Sequence, residues 1–427
     1  MHLMRKIITL LLVAFVSNVR AQDIDYALRI IDTLASPSME GRGYVNGGDR
    51  KAAVFISNEF EKDGLKRFGT DYYQKFAIAV NTFPGKVNVS MDGKSLTPGI
   101  DYLVDASSPS LNGTFKIVKL NRKTFKSLTR FKRFSHRDYS PKVILVDKQG
   151  IGKKQLAFLD SLRKYNFLNA KALVFINVSK LMWSGSAARQ QLPYVTIDIT
   201  RNVYNQKAKS IAFDIESRFE KAYTTQNVLG YVQGSLQPDS FLVFTAHYDH
   251  LGRMGEKVYF PGANDNASGT AMVLDLARYY AQPEHKPRYS MVFTAVSGEE
   301  TGLLGSTYLA RHPLFPLKAV RFLVNLDMMG TGSEGITMVN GTVFPKAYNL
   351  MVKINADNEY VLTVKNRGES CNSDHCPFYQ KGVPAVFLYA MGKEDTEYHN
   401  VSDKAANLPL TEYKDIFRLV RDFMNAW

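Results

Sequence analysis

YSMVFTAVSGEETGLLGS, residues 289–306, joins an apolar run to a glycine-spaced turn carrying two adjacent acids, Glu299 and Glu300. Residues 289–296 have the length and apolar continuity of a strand buried on both faces, and 301–311 take up helical spacing after the turn. The same order recurs on either side: 241–246 is apolar, 268–280 has helical periodicity, and 320–326 is apolar again. Strands alternating with helices predict a mixed, largely parallel sheet covered on both faces, a three-layer α/β/α sandwich. In such sheets ligands sit beyond the carboxyl ends of the strands.

Upstream the texture differs. Residues 26–34 and 52–60 are amphipathic helical stretches around a Gly-rich turn, which makes 22–80 an N-terminal helical part of the same domain. Residues 81–214 carry short β-branched runs at 142–147, 172–177 and 192–198 with one helical stretch at 154–165, the pattern of a small β-rich inserted domain. Residues 215–427 complete the α/β domain. Arg5 and Lys6, the apolar residues 7–16 and the small-residue site Val19-Arg20-Ala21 form a signal peptide over 1–21. That apolar stretch is about half the roughly 20 residues a spanning helix needs. The expectation is an exported protein, periplasmic or secreted, without an integral membrane segment after cleavage.

The 427 residues are 45% hydrophobic, enough for a substantial core, and carry a net charge of +14. Nine of the Lys and Arg residues fall between Lys116 and Arg137, with Phe115, Phe125, Phe131 and Phe134 interleaved or adjacent. The spacing resembles an anionic-surface or nucleic-acid patch, but no recognised binding module accompanies it, so no nucleic-acid function is expected. Cys371 and Cys376 are too few for a disulfide framework; they form either one local bridge or two ordinary thiols.

The polar residues just past the strands form a constellation. HYDHLG supplies His247, Asp249 and His250; GANDNASG supplies Asp265; the opening turn supplies Glu299 and Glu300; NLDMMG supplies Asp327; and EYHN supplies Tyr398 and His399. Imidazoles and carboxylates without thiolates suit zinc with open coordination positions. The carboxylates are too many for one ion. Two ions about 3.5 to 4 Å apart need a bridging carboxylate, terminal ligands on each and a base for the water between them. Two adjacent glutamates are then favourable: one binds metal and its neighbour takes the proton.

These ordered motifs, with LASPSMEGRG at 34–43 and SDHCPF at 373–378, resemble the M28 family of co-catalytic zinc aminopeptidases. The resemblance implies two zinc ions per chain, one held by His247 and Asp327, the other by Glu300 and His399, with Asp265 bridging. It makes Glu299 the general base, Asp249 the acid that orients His247, and Tyr398 the donor to the developing oxyanion. It also implies a cis bond between Asp265 and Asn266, and it places Ser373, Asp374 and His375 near the metals but not on them, with His250 a loop residue. The insert resembles a protease-associated domain. The expected reaction is hydrolysis of N-terminal peptide bonds by metal-bound hydroxide, with peptide or protein N-termini as substrates. A carboxypeptidase or dipeptidase would need a cation such as Arg367 for the substrate carboxylate. A glutaminyl cyclase would call for a Trp-rich site, against only Trp183 and Trp427 here, and a silent binding protein would have little reason to keep every ligand.

Overall fold

The computed structural model describes residues 24–427, so the signal peptide expected over 1–21 lies outside the described residues. The main sheet has eight strands in the order Tyr73–Thr82, Arg218–Val232, Tyr289–Val296, Gln237–His247, Val320–Leu326, Ala385–Met391, Gly335–Val339 and Val364–Asn366. The central four run parallel, and antiparallel pairs flank them on both sides. The sheet is mixed and largely parallel at its centre, as the alternation predicts.

Alternate residues of the central strand face opposite layers. Leu242, Phe244 and Ala246 pack with helices Ile24–Leu34, Gly48–Lys62, Gly269–Ala281 and Tyr413–Asn425. Val243 packs on the other face with Leu309 and Ala310 of helix Leu304–Arg311 and Phe378 of helix His375–Tyr379. Every residue of Tyr289–Val296 is buried, so its burial comes from both layers at once. Helix Leu304–Arg311 begins later than the expected 301 because Gly302 and Leu303 take positive φ of 105° and 59° and turn the chain first.

The second sheet runs Lys94–Ser95, Val87–Met91, Ser210–Ile215, Leu111–Leu120, Lys142–Asp147, Ala172–Asn177, Val195–Thr200 and Tyr102–Val104. Its four successive strands from Leu111–Leu120 to Val195–Thr200 are parallel. Helices Leu128–Ser135 and Lys153–Tyr165 pack on it, so the region carries more helix than its sequence texture implied. The strand expected from 192 starts at Val195, after Pro193, which has no amide to give a ladder. Thr82 pairs with Arg218 in the main sheet, so the chain leaves and re-enters that sheet at adjacent points. The strand Tyr73–Thr82 itself belongs to the main sheet although it closes a stretch read as helical; buried Phe76, Ile78 and Val80 alternate with the more exposed Lys75, Ala77 and Ala79.

The basic segment lies on this second unit. Phe134 is buried against Tyr139, while Phe125, Phe131 and Phe158 pack on one another, so the rings turn inward. Lys119, Arg122, Lys123 and Lys126 line an open cavity of about 730 Å³. Among the described residues no helix is long and apolar enough to cross a membrane.

One charge marks where this packing is electrostatically poor. Asp63, just past helix Gly48–Lys62, has its carboxyl pushed up to about 6 by burial and by Glu59, against Arg278, Lys62 and Arg29. The folded chain therefore holds this proton more tightly than the unfolded chain, and stability falls as pH rises from the ordinary 3.8 through 6. After discounting for its partial exposure, Asp63→Asn is expected to stabilise by about 1 kcal/mol at pH 8 and by nothing below pH 4. Urea melts at the two pH values check this.

Candidate metal centre

The register of the sheet builds the site. His247 ends its strand opposite Val296, so the turn carrying Glu299 and Glu300 leaves the sheet beside it. Thr245 pairs with Asn325 on the other side, which brings Asp327, two residues on, level with His247. Asp265 lies in the buried loop Ala263–Ser268 that opens helix Gly269–Ala281, and its bond to Asn266 is cis. Asn266 ties this loop to the neighbouring strand end: its Nδ2 donates to the Leu326 carbonyl at 3.0 Å, and its Oδ1 accepts from the Met328 amide at 3.2 Å.

The carboxylate of Asp265 faces two ways. Its Oδ1 is 3.4 Å from His247 Nε2, which is also 3.4 Å from Asp327 Oδ1. Its Oδ2 is 3.0 Å from His399 Nε2, which is 3.2 Å from Glu300 Oε2. His247, Asp265 and Asp327 offer donor atoms within 4.8 Å of one another, and so do His250, Asp265 and Glu300. The second group thus has two imidazoles beside it. His250 Nδ1 approaches Glu300 Oε1 to 2.7 Å, yet neither atom has an aligned hydrogen bond. His250 is fully buried, whereas the His399 side chain keeps 14% of its surface exposed and its Nε2 meets both carboxylates. His399 meets both Asp265 and Glu300 through one nitrogen, where His250 is paired with Glu300 alone, which favours His399. Two separate imidazole–carboxylate groups sharing one carboxylate, without thiolate and with an unsatisfied buried Glu300 oxygen, fit divalent zinc.

The electrostatics separate the two glutamates. Burial alone would raise Glu300, but His399 and His250 draw it down to about 2, against Asp265. Glu299 is pushed well above the usual carboxylate range by burial, with Asp374, Glu300 and Asp327 adding to it and His247 opposing. Adjacent acids driven apart in this way divide naturally into a ligand and a proton carrier. Burial lowers His399, yet Glu300 and Asp265 push it up to about 11, so the carboxylates dominate the cluster.

The surrounding residues hold these groups in place. Ser373 Oγ donates to Asp327 Oδ2 at 3.0 Å, and Asp374 accepts from Ser306 Oγ at 2.5 Å. His375 Nε2 lies 2.8 Å from the Ser370 carbonyl. Asp249 Oδ1 accepts the Glu299 amide at 3.2 Å, and its Oδ2 accepts from Tyr44 Oη at 3.1 Å. His247 Nδ1 is 3.1 Å from the Asp249 carbonyl oxygen and 3.9 Å from its carboxylate, so the backbone makes the nearer contact. The Tyr398 ring stacks on His399 with centroids 3.8 Å apart and is 40% exposed at the mouth. Trp183, from the second unit, donates its amide to the His399 carbonyl at 2.8 Å. Cys371 and Cys376 are joined in a disulfide.

Sequence reading missed Tyr44 and Arg42, both in the Gly-rich turn. Arg42 is fully buried, and its guanidinium reaches the carbonyls of Tyr248, Gly262 and Asp265. The signal available was a polar pair inside an otherwise small-residue segment, without periodicity to say where it points.

Comparison with known proteins agrees with this geometry. A probable zinc metalloprotease of Pyrenophora tritici-repentis is 39% identical over 135 residues, 30% of this chain and 27% of that one. Aminopeptidase YwaD of Bacillus subtilis is 30% identical over 201 residues, 43% of this chain and 41% of that protein. The chain thus spans less than half the length of these curated relatives. BSAP, a zinc aminopeptidase from Bacillus subtilis, has a similar fold, with a TM-score of 0.70 at 20% identity over 94% of each chain. The model of peptidase family M28 matches residues 227–424. That segment, a little under half of the chain, carries His247, Asp265, Glu299, Glu300, Asp327 and His399, and over it the chain is similar to peptidase family M28.

Proposed function

We propose that this protein is an exported aminopeptidase that works with two zinc ions and removes residues from unblocked peptide N-termini. The observation that carries the reading is the two-way carboxylate of Asp265, each oxygen facing its own imidazole and second carboxylate. His247 and Asp327 would hold one zinc, Glu300 and His399 the other, with Asp265 between them. Bound there, the ions supply Lewis acidity toward the scissile carbonyl and lower the pKa of water.

The chain's own residues do the rest. Glu299, already inclined to hold a proton, takes one from the attacking water and delivers it to the leaving amine. Asp249 fixes the Glu299 backbone by accepting its amide, and Ser373 fixes Asp327. Burial and the carboxylates Asp265, Glu300, Asp327 and Glu299 keep the Tyr398 phenol protonated, so it remains a donor for the developing oxyanion. The substrate α-amine finds acid residues on the same face. A disulfide in a chain with so few cysteines suits an oxidising compartment, which supports export.

The other chemistries find less. Arg367 stands exposed past the edge strand Val364–Asn366, and Trp427 packs against Phe322 and Phe423. Trp183 meets the site through its backbone, with its indole N–H donated to the Val104 carbonyl. The test is a panel of unblocked, N-acetylated and C-terminally amidated dipeptides and tripeptides, with and without a chelator and then zinc. Cleavage of unblocked and amidated peptides, lost on chelation and restored by zinc, is expected. Cleavage of acetylated peptides that needs a free C-terminus contradicts the proposal.

A further inference from the structure

We propose that Arg42 is a positioning residue for the metal centre, holding the loop of Asp265 and the turn after His247 in one frame. The proposal rests on the di-zinc reading above. A buried arginine ordinarily faces carboxylates. Arg42, at 0% exposure, instead directs all of its guanidinium donors at backbone carbonyls. Nε donates to Tyr248 at 2.7 Å; one terminal nitrogen donates to Leu34 at 2.9 Å and Pro261 at 2.6 Å; the other donates to Gly262 at 2.7 Å and Asp265 at 3.2 Å. One side chain thereby joins the end of helix Ile24–Leu34, the residue after His247, and the loop that presents Asp265.

The opposite side of that loop is held as well. Asp403 accepts the amides of Asn264 at 2.8 Å and Asp265 at 3.1 Å, and its carbonyl accepts the Ala263 amide at 3.1 Å. Carbonyls go to Arg42 and amides to Asp403, which leaves the Asp265 side chain free to face His247 and His399. The chain accepts strain to aim this guanidinium. Glu40, Gly41 and Arg42 have φ of 55°, 65° and 52° in succession, a region that L side chains adopt only at a steric cost. A Cβ at Gly41 would lie 2.5 Å from the Gly252 carbonyl oxygen and 2.6 Å from that of Phe260, so the turn can lie this close only with glycine there.

A lysine in this place keeps the charge but offers three donors in no fixed plane. In the full chain, Arg42→Lys is expected to weaken zinc binding about 10- to 100-fold, read by competition with a chromophoric chelator. It should lower kcat on an unblocked dipeptide by a similar factor and leave KM near its original value. Amides of residues 261–268 should exchange with deuterium faster, in the metal-free protein too. A lower melting temperature with zinc affinity and kcat unchanged would make Arg42 a scaffold residue and overturn the proposal. Unchanged loop exchange in the metal-free variant overturns it whether or not the di-zinc reading holds. If Arg42→Lys does not fold, Asp403→Asn removes an acceptor from the other side of the loop. Faster loop exchange with weaker zinc binding supports the frame; zinc affinity equal to the unaltered chain refutes it. An unaltered chain that binds no zinc defeats the di-zinc reading, and the exchange measurement still decides the loop frame.

Discussion

Glu299→Gln is expected to lower kcat by roughly 100- to 10,000-fold while zinc stays bound, because the change removes a proton carrier and keeps the size of the side chain. Glu299 is not one of the donors grouped around Asp265, whose neighbours are His247, Asp327, His399, His250 and Glu300. Its backbone amide remains bonded to Asp249 in the variant, so the turn keeps its shape. KM should change little, since the proton moves only as the reaction proceeds. Steady-state kinetics beside metal analysis checks this; full turnover with zinc retained would remove Glu299 from the mechanism. Loss of both turnover and zinc would instead make Glu299 a ligand.

Asp265→Asn should take both activity and metal. The amide lacks the charge that two cations need between them, and either imidazole group is left with one carboxylate fewer. The loop itself should persist, because Arg42 and Asp403 hold the backbone of residue 265 rather than its side chain. Zinc that binds only the native chain stabilises it by about 2.7 kcal/mol at 100 times its Kd. The variant should therefore lose most of the thermal shift that zinc gives the unaltered chain. An undiminished shift, with full metal content, would mean that Asp265 does not bridge.

Much of this site is legible locally. Residues 241–246 of the strand Gln237–His247 and the strands Tyr289–Val296 and Val320–Leu326 are near-continuous apolar runs, and the polar residues that follow each are forced to the same edge by parallel pairing. Periodicity also shows the helices on either side. The strand Tyr73–Thr82 was equally available, since Phe76, Ile78 and Val80 are buried at alternate positions, but its amphipathic surroundings read as helix. What the sequence cannot display is pairing over distance. Arg42 bonds to Tyr248, 206 residues later, through a carbonyl that any residue would carry. Trp183 reaches His399 in the same way, amide to carbonyl. His250 read as a loop residue because nothing in HYDHLG says that its ring turns toward Glu300. The sequence-visible part of the site is therefore its side-chain chemistry, and the hidden part is the backbone contacts that aim it.

The most direct test is a zinc titration of chelator-stripped protein, following metal content and cleavage of an unblocked dipeptide together. Full activity reached at two equivalents, with a second ion bound in a separable step, is the predicted result. Full activity at one equivalent, or cleavage that survives complete removal of metal, would contradict a centre built on the bridging carboxylate of Asp265.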